Sequence, residues 1–549
     1  MTNRTPRAVL AATLAGLALV RSAAAQAGRD PGNSIVIITG QLGTLPIPTL
    51  MEGPASNAGN RELSDQLFLR LVRLGPTMLT SGDRNYLPQL ARSWTRRDSV
   101  TLAFDLDPRA RWQDGVPVTA RDVVFALGRA RNPAIAPQLA QLLKRITSVT
   151  AEGDSRVVFG FSHPYAEQLY DATFHVAPLP AHLLASLPPD SLAHSDFVTH
   201  PVGDGPYRLV RSVPGQFVEL AANQNFFLGK PKLERVIIRL ATDPDARVNV
   251  LLSGQADAMD IVPPPLDNLR RIEADSTLRL IPVPSTTVGY LLYNTRDPRN
   301  PSQPHPILAD VRVRRALTLG LDRRLMAQVV FGSYAEVPYG PVSPVLWIRY
   351  RSPKPERQNE AEAKRLLAAA GWRDSDGDGT RDRDGQPLTL SLSLPNTSGI
   401  RRQMAQLIQE QLRRLGVGLE LQQYDFPVWN ERRNAGNFDI DFAAVNQDPT
   451  PSGLTQGWTC AGGTNVAKYC NPRVDSLMER AVLGRGDPGE AWIAALRQIE
   501  ADAPATFLYA PTNMYAVSRR FRNVTITPTS SWLLLRDWSA DPAARGQGK

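Results

Sequence analysis

The segment LPQLARSWTRRDSVTLAFDLDPRARWQDGVPVTARDVVFAL, residues 87–127, decides how this chain of 549 residues folds. Apolar and polar residues alternate over positions 101–107, which is the pattern of a half-buried strand. Asp114-Gly115 is a turn dipeptide, and Thr119 with Asp122 has the spacing of a capping box at the start of a helix. The segment therefore predicts a strand, a turn and a helix in succession.

Three motifs in this segment resemble the signature of the extracytoplasmic solute-binding proteins that supply peptide, nickel and opine ABC importers. They are LPQLARSW at 87–94, WQDG at 112–115 and PVTARDV at 117–123. Three later stretches resemble the same family: PVGDGPY at 201–207, TTVGYLLYNTRDP at 286–298 and DVRVRRAL at 310–317. The resemblance implies an α/β, two-lobed periplasmic-binding-protein-like fold of type II, cluster C, with an extra subdomain in lobe 1 and a hinge between the lobes.

The lobe boundaries follow from the same resemblance. It places the core of lobe 1 at residues 28–72 and 196–285, the extra subdomain at 73–195, lobe 2 at 286–505 and a return to lobe 1 at 506–549. Within lobe 2 the pattern itself is informative. Strand-like alternation, helical spacing of apolar residues and renewed alternation follow one another over residues 388–421, which predicts a β-α-β unit with parallel strands.

The first 27 residues have the layout of a secretory signal peptide. Arg4 and Arg7 precede an apolar run at 8–20, and small residues stand at the positions of a cleavage site. No cysteine lies there, so we expect no lipid anchor and, in a cell with two membranes, a soluble periplasmic protein. The formal charge is +9, and it becomes +6 when Arg4, Arg7 and Arg21 leave with the signal peptide. Because the remaining Lys and Arg residues are dispersed, we expect no nucleic-acid partner.

Cys460 and Cys470 are the only cysteines of the sequence. In an oxidising compartment, an isolated pair ten positions apart is more often a disulfide than a metal site, and no histidine is close in sequence to complete a set of four ligands. We therefore predict a disulfide between them.

The usual motifs of enzymes are missing from the sequence. It contains no G-x-S-x-G, no G-x-x-x-x-G-K-[ST], no G-x-G-x-x-G and no C-x-x-C, which are the signatures of nucleophile, phosphate and dinucleotide sites. The six histidines show no metal-binding spacing. We expect a non-catalytic protein that carries no cofactor.

An acidic loop at 374–385, DSDGDGTRDRDG, is a weak candidate for a metal site. Asp374, Asp376, Asp378 and Asp382 fit four positions of a calcium loop, but Gly385 stands where a bidentate glutamate is required. The segment after it also has the pattern of a strand rather than a helix. We interpret the loop first as solvated and second as an adventitious calcium site.

The resemblance places the ligand pocket between the lobes, in segments that correspond to 287–294, 339–347 and 439–470. Pockets of this kind combine aromatic walls with few polar groups. Aromatic faces would enclose apolar parts of the ligand, and a carboxylate would attract an ammonium group. The candidate ligand-binding residues are Tyr290, Tyr293, Asn294, Trp347, Asn446, Asp448 and Trp458. Several of them can instead be core residues.

One departure from the family pattern bears on the ligand. Dipeptide binders of the family carry W-x-x-D ahead of a second D-P, and the first aspartate holds the amino terminus of the peptide. Here residues 442–449 read FAAVNQDP, with Val445 near the expected acid. An ammonium group buried without a partner loses hydration at a large cost. The ligand is therefore a peptide held in another way, or not a peptide.

Together these observations predict the periplasmic solute-binding subunit of an ABC importer. We expect a monomer that binds a short peptide or peptide-like small solute between two lobes and delivers it to a permease in the inner membrane. Two alternatives remain open. One is a secreted enzyme or chaperone on the same scaffold, since a fold does not fix a function; the other is a binder of a nickel chelate, which needs no histidine cluster.

Overall fold

The computed structural model describes residues 33–42, 47, 58–188, 191–263, 265–484 and 486–541. The predicted signal peptide, residues 1–27, lies outside these ranges. The α-helices are α1 (Ala58–Leu67), α2 (Ala120–Ala130), α3 (Pro137–Leu142), α4 (Gln168–Thr173), α5 (Ala181–Leu184), α6 (Pro244–Leu252), α7 (Leu266–Glu273), α8 (Val311–Gly320), α9 (Arg323–Phe331), α10 (Glu360–Ala369), α11 (Gly399–Arg413), α12 (Phe426–Ala435), α13 (Thr455–Trp458), α14 (Pro472–Val482) and α15 (Pro488–Asp502). Among the described helices, none combines the length and the apolar character that crossing a membrane requires.

The strands of the described residues are β1 (Ser34–Thr39), β2 (Val72–Leu74), β3 (Tyr86–Pro88), β4 (Ala91–Asp98), β5 (Thr101–Leu106), β6 (Ile146–Glu152), β7 (Arg156–Phe161), β8 (Tyr207–Val213), β9 (Phe217–Ala222), β10 (Arg235–Leu240), β11 (Ala258–Ile261), β12 (Leu278–Pro284), β13 (Thr287–Tyr293), β14 (Arg296–Asp297), β15 (Asn300–Pro304), β16 (Ala335–Glu336), β17 (Asp382–Arg383), β18 (Gln386–Pro387), β19 (Thr389–Pro395), β20 (Gly418–Tyr424), β21 (Ile440–Asn446), β22 (Ala505–Ser518), β23 (Phe521–Arg522) and β24 (Ser539–Ala540). One hydrogen-bonded path runs through both lobes in the order β20-β19-β21-β13-β22-β11-β1-β10-β9-β8, and β12 and β16 also pair with β22.

Strand β1 is the centre of the lobe 1 sheet. It pairs in parallel with β10 on one side and with β11 on the other, and β9 and β8 extend the sheet in antiparallel fashion. All six residues of β1, SIVIIT, are buried. A near-continuous apolar run of this kind is typical of a parallel strand that is covered on both faces.

Lobe 2 is built on the predicted β-α-β unit. Strands β19 and β20 pair in parallel over seven residues, and α11 connects them along the chain. Strand β21 lies in parallel on the other side of β19. The prediction of parallel strands in lobe 2 is therefore confirmed.

Two strand segments cross between the lobes. Strand β22 pairs with β13 through residues 505–509 and with β12 through residues 512–518. The other crossing is the short link from Pro284, the end of β12, to Thr287, the start of β13. The buried residues of two hydrophobic clusters lie at positions 35–278 and 514–538, whereas those of the other two lie at 288–510. The two bodies thus have separate cores that two strand links join, which is the architecture of a hinge.

The motifs at 112–123 fold as one local unit in lobe 1. The carboxylate of Asp122 accepts hydrogen bonds from the backbone N–H of Thr119 at 2.8 Å and from the indole of Trp112 at 3.3 Å. Its other oxygen accepts from the backbone N–H of Ala181 at 2.8 Å. The predicted capping box is confirmed, and one carboxylate explains why the tryptophan and the helix start occur at this spacing. Nearby, the antiparallel sheet β4-β5-β7-β6 forms the body of the predicted subdomain.

The PVGDGPY turn packs directly against the end of α1. A Cβ atom on Gly203 would lie 1.9 Å from the carbonyl oxygen of Leu67, and one on Gly205 would lie 2.4 Å from that of Gln66. Glycine is required at both positions because backbone approaches backbone. Between them, the fully buried Asp204 accepts a 2.8 Å hydrogen bond from the backbone N–H of Leu69.

The predicted disulfide between Cys460 and Cys470 is present. Within the loop that it closes, the buried side chain of Asn465 donates to the carbonyl oxygens of Thr459 at 2.9 Å and of Tyr469 at 2.6 Å. The loop therefore has an internal polar anchor as well as the covalent bond.

Candidate functional site

A cavity of about 270 Å³ lies between the lobes, beside the crossing strands. Lobe 1 contributes Ile261, Val262, Pro263, Pro265, Leu266, Leu269, Asn513 and Met514; lobe 2 and the crossing strands contribute Thr287, Val330, Phe331, Tyr334, Ser398, Ile400, Arg401, Ala444, Tyr509, Pro511 and Thr512. Its volume is close to the lower limit for small-molecule pockets, roughly 300 Å³. Most of the lining is apolar, and Arg401 is the only charged residue among the lining residues that the structure describes.

The topology explains why these segments meet. Strand β11 ends at Ile261 and leads into α7, and strand β19 ends shortly before α11 begins. Parallel α/β sheets bind ligands outside the carboxyl ends of their strands, where the following helices begin. The end of β11, at Ile261, and the start of α11 after β19 both line the cavity, so the carboxyl ends of strands from the two lobes meet there. The amphipathic helix α7 presents Leu266 and Leu269 to the cavity.

Arg401 lies in the first turn of α11. Ser398 caps this helix by accepting a hydrogen bond from the Arg401 backbone N–H at 3.3 Å. The guanidinium lies over the ring of Trp429, 5.0 Å from its centre. Its Nη1 atom is buried and has no hydrogen-bond partner among the described residues. Burial lowers the pKa of Arg401, but an arginine stays charged at physiological pH.

A carboxylate near this guanidinium, that of Asp441, accepts hydrogen bonds from other residues. Asp441 is fully buried and accepts 2.9 Å hydrogen bonds from Nε of Arg433 and from Nε1 of Trp429. Two guanidinium groups, those of Arg401 and Arg433, thus share one carboxylate. This corner of the cavity carries one positive charge in excess.

Tyr509 forms another part of the wall near Arg401, and its position depends on a glycine of the neighbouring strand. A Cβ atom on Gly289 would lie 2.2 Å from the ring carbons of Tyr509, so only glycine leaves room for the ring. The ring also packs on Phe331, with 4.8 Å between the ring centres. Burial raises the pKa of Tyr509 to about 12, so its hydroxyl is a neutral donor at physiological pH.

A second contact between the lobes involves the subdomain. The hydroxyl of Thr450 in lobe 2 donates to Oε1 of Glu167 in lobe 1, and the same oxygen accepts from Thr80 at 2.9 Å. The other carboxylate oxygen of Glu167 and the hydroxyl of Tyr170 are buried without a partner in the described part of the chain. Burial, together with the nearby carboxylate of Asp448, raises the pKa of Tyr170 well above its ordinary value. Carboxylates from both lobes therefore converge here.

An open groove lies between the same two units. Its volume is about 820 Å³, and its walls come from subdomain residues at 141–164 and lobe 2 residues at 455–483. The lining is charged on both sides, with Lys144 and Arg145 facing the elements that carry Asp475 and Glu479. This groove is wide and polar, in contrast to the narrow apolar cavity beside the hinge.

Four of the seven residues predicted to bind ligand lie in the core of lobe 2. Tyr293 is fully buried and shares a 2.6 Å hydrogen bond with Thr506. The buried amide of Asn294 donates to two backbone carbonyls, at 2.9 and 3.1 Å. Tyr290 and Trp458 pack on each other, 5.6 Å between ring centres, and both are more than 90% buried. These residues support the sheet of lobe 2, and a ligand contact by any of them stays a prediction.

The other three predicted residues are less deeply buried than these four. Asn446 ends β21 and accepts a 2.5 Å hydrogen bond from Thr287, a cavity residue. Asp448 is half-buried and close to Tyr170. Trp347 is half-buried, and its indole nitrogen has no partner among the described groups. Whether they touch a ligand stays a prediction.

Sequence reasoning missed Arg401, Tyr509, Glu167 and Thr450. For Arg401 a usable signal existed, since it occupies the first turn of the helix in a β-α-β unit that the pattern had predicted, at the carboxyl end of a parallel strand. For Glu167 and Thr450 we find no local signal, because neither belongs to a motif and their meeting depends on how the lobes pack.

In the acidic loop, three of the four predicted calcium ligands lie close together. Carboxylate oxygens of Asp374, Asp376 and Asp378 lie within 4.8 Å of one another, and all three residues are exposed. Asp382 does not join them, because it accepts hydrogen bonds from the backbone and hydroxyl of Ser375. Three of the four residues that were predicted as a weak calcium candidate are thus adjacent, and exposed acidic groups of this kind also occur without an ion.

Comparisons with known proteins agree on one family. The model of the bacterial extracellular solute-binding proteins, family 5, middle region, matches residues 85–467. The oligopeptide-binding protein AppA of Bacillus subtilis is 26% identical over 544 residues, which are 97% of this chain and 96% of AppA. The crystal structure of the B. subtilis AppA in complex with a nonapeptide superimposes with a TM-score of 0.78 at 24% identity, covering 93% of this chain and 99% of that one. NikZ of Campylobacter jejuni in complex with Ni(L-His) gives a TM-score of 0.78 at 22% identity, covering 93% and 100%. These likenesses confirm the predicted two-lobed α/β fold.

Proposed function

Since the chain belongs to family 5 of the bacterial extracellular solute-binding proteins, we propose that it is the binding subunit of an ABC importer that captures a short peptide or peptide-like solute between its lobes. It works in the periplasm as a monomer, after export directed by residues 1–27, and hands the unaltered solute to an inner-membrane permease. It catalyses no reaction and binds no nucleic acid.

The cavity beside the crossing strands carries this proposal. Both lobes contribute walls to it, and two strand links connect cores that are otherwise separate. A ligand in such a cavity touches both lobes only when they are closed. Its binding therefore shifts the population from open to closed forms by the difference in its affinity for the two. The permease can then recognise the closed arrangement of both lobes.

The chemistry of the clefts supports a peptide-like ligand. The apolar cavity suits an aliphatic or aromatic side chain, and Asn446 lies beside it through its hydrogen bond to Thr287. Asp448 and Glu167 supply carboxylates for an ammonium group, which compensates for the apolar Val445 near the position where dipeptide binders hold the amino terminus. AppA, whose structure contains a nonapeptide, shows that a related fold takes peptides.

A nickel chelate is a weaker candidate. NikZ is described with Ni(L-His), but the described residues that line the hinge cavity include no histidine, cysteine or carboxylate. Such a lining offers nickel no direct ligand. A chelate would have to be recognised through its organic part alone.

The protein is purified after export and denatured, and mass spectrometry identifies the small molecules that it releases. We expect peptides or small peptide-like amines or acids. A melting-temperature screen against synthetic di- to pentapeptides should find at least one stabilising compound, because a ligand at a hundredfold excess over its Kd stabilises by about 2.7 kcal/mol. The variant Tyr350→Ala, at a tyrosine that is 83% exposed, should respond like the wild type. If no compound raises the Tm and a compound is instead converted to a product, an enzyme would be the better interpretation.

A further inference from the structure

We propose that Arg401 anchors a carboxylate of the bound solute and that the apolar walls of the same cavity hold the group next to that carboxylate. This inference rests on the proposed function and specifies it. The solute class is then an organic acid with an apolar body, and for a peptide it is a free carboxyl terminus with an apolar last residue.

The first argument is the unused donor capacity of Arg401. An arginine offers five N–H donors in a planar fork. Arg401 forms part of the cavity wall, and its buried Nη1 donates to no described group, so no hydrogen bond holds Nη1 away from the cavity. A buried donor without a partner costs free energy, and a small turn of the guanidinium toward an anion in the cavity would remove this cost.

The second argument is the charge balance. Each carboxylate oxygen of Asp441 already accepts a hydrogen bond, one from Arg433 and one from Trp429, so its single negative charge balances one guanidinium and leaves the charge of Arg401 open. Among the described residues, the groups near Arg401 add no further carboxylate. Trp429 covers one face of the guanidinium, and Tyr509 remains protonated at physiological pH. A single negative charge on the solute completes the balance.

The third argument selects a carboxylate over a larger anion. One guanidinium matches the two oxygens of a carboxylate in a bidentate, charge-assisted pair. A phosphate dianion would need a second cation, and Arg401 is the only charged residue among the described lining. The volume of about 270 Å³ also limits the occupant to a small group. The cavity wall also includes the apolar side chains of Leu266, Leu269, Phe331 and Met514, which favour a solute with an apolar body.

The test compares two mixtures of tripeptides that end in Leu, Phe, Met or Val, one with free carboxyl termini and one with amidated termini. Peptide that stays with the protein in ultrafiltration is measured by mass spectrometry. The wild type should retain the free acids at least about tenfold better, the effect expected for a charge-assisted pair. Arg401→Met should lose this preference, and Arg401→Lys should keep part of it.

Arg402→Met is the matched control, since Arg402 is the exposed next residue of α11 and the same charge is removed. It should behave like the wild type. If Arg401→Met keeps the preference, or if the wild type retains acids and amides equally, the assignment of Arg401 is wrong while the proposed function stands. If the wild type retains neither mixture, the peptide-binding function fails with it. Should Arg401→Met not fold, the acid and amide comparison on the wild type still decides.

Discussion

Thr450 donates its hydroxyl hydrogen to the carboxylate of Glu167, although the two residues are 283 positions apart and lie in different lobes. Neither residue lines the cavity that contains Arg401, so the contact is a separate link between the lobes. When the hinge opens, the hydrogen bond must break. The contact therefore contributes to the balance between open and closed forms.

Replacing Thr450 with valine should favour the open form. The change keeps the shape of the side chain and removes the donor, so the closed form loses one interlobe hydrogen bond of about 1 kcal/mol and the apparent affinity for ligand falls roughly fivefold. Small-angle scattering of the ligand-free protein should show a larger radius of gyration. Thr455→Val is the control, because the Thr455 hydroxyl bonds within lobe 2, to the carbonyl oxygen of Ser452 at 2.7 Å. Equal radii for both variants and the wild type would contradict the prediction.

Gly289→Ala should damage the cavity. The added methyl group would lie 2.2 Å from the ring of Tyr509, so the ring must leave its place on Phe331. We expect a destabilisation of about 1 to 3 kcal/mol, typical of an overpacked site, and weaker ligand binding, both followed by thermal melting with and without ligand. Gly128→Ala in α2, where nothing lies within 4 Å of the new Cβ, should instead stabilise by about 0.5 to 1 kcal/mol. Unchanged binding by Gly289→Ala would remove Tyr509 from the site.

Stability should decrease as pH rises from about 4 to 7. Burial raises the pKa of Asp204 to about 7 and that of Asp171 to about 6, whereas both titrate near pH 4 in the unfolded chain. In this window the native state binds more protons than the unfolded state, so the free energy of unfolding falls with pH and levels off above 7. Asp204 alone should contribute on the order of 4 kcal/mol over this window.

Scanning calorimetry at pH 5, 6, 7 and 8 measures this effect as a decrease in Tm. Asp204→Asn removes one titrating group and should flatten the decrease in part. The remainder comes from Asp171 and from Glu62 and Asp260, whose pKa values burial raises to about 7 and about 6. A Tm that rises steadily from pH 5 to pH 8 would show that these carboxyl groups do not govern the pH dependence.

Removing the disulfide should weaken the protein without abolishing binding. The Cys460→Ser, Cys470→Ser double variant loses the entropic constraint of a ten-residue loop, about 3 kcal/mol on a chain-entropy model. The side-chain hydrogen bonds of Asn465 still hold the loop, so we expect a lower Tm and an unchanged Kd. Asn465→Ala in the oxidised protein tests this second anchor. A large loss of affinity in the cysteine variant would place the loop in the binding site.

The sequence by itself determined the local units and the family. The strand, turn and helix at 101–130 form as their alternation, Asp114-Gly115 turn and capping box predict, because Trp112, Thr119 and Asp122 interact over ten positions or fewer. The parallel strands of lobe 2 followed from periodicity for the same reason. The disulfide followed from the presence of only two cysteines.

Only the tertiary structure decided which residues face the cleft. Strand β13 is covered on both faces, with six of its seven residues buried, so an aromatic residue there reads the same whether it supports the sheet or contacts a ligand. Tyr293, one of the predicted ligand residues, is fully buried in this strand. Arg401 and Tyr509 are more than a hundred positions apart in the sequence, and so are Arg401 and the lobe 1 wall at 261–269. Their convergence depends on how two separate cores are joined. A sequence pattern reflects interactions among residues that are close in the sequence. A site between two lobes depends on contacts among residues that are far apart in the sequence.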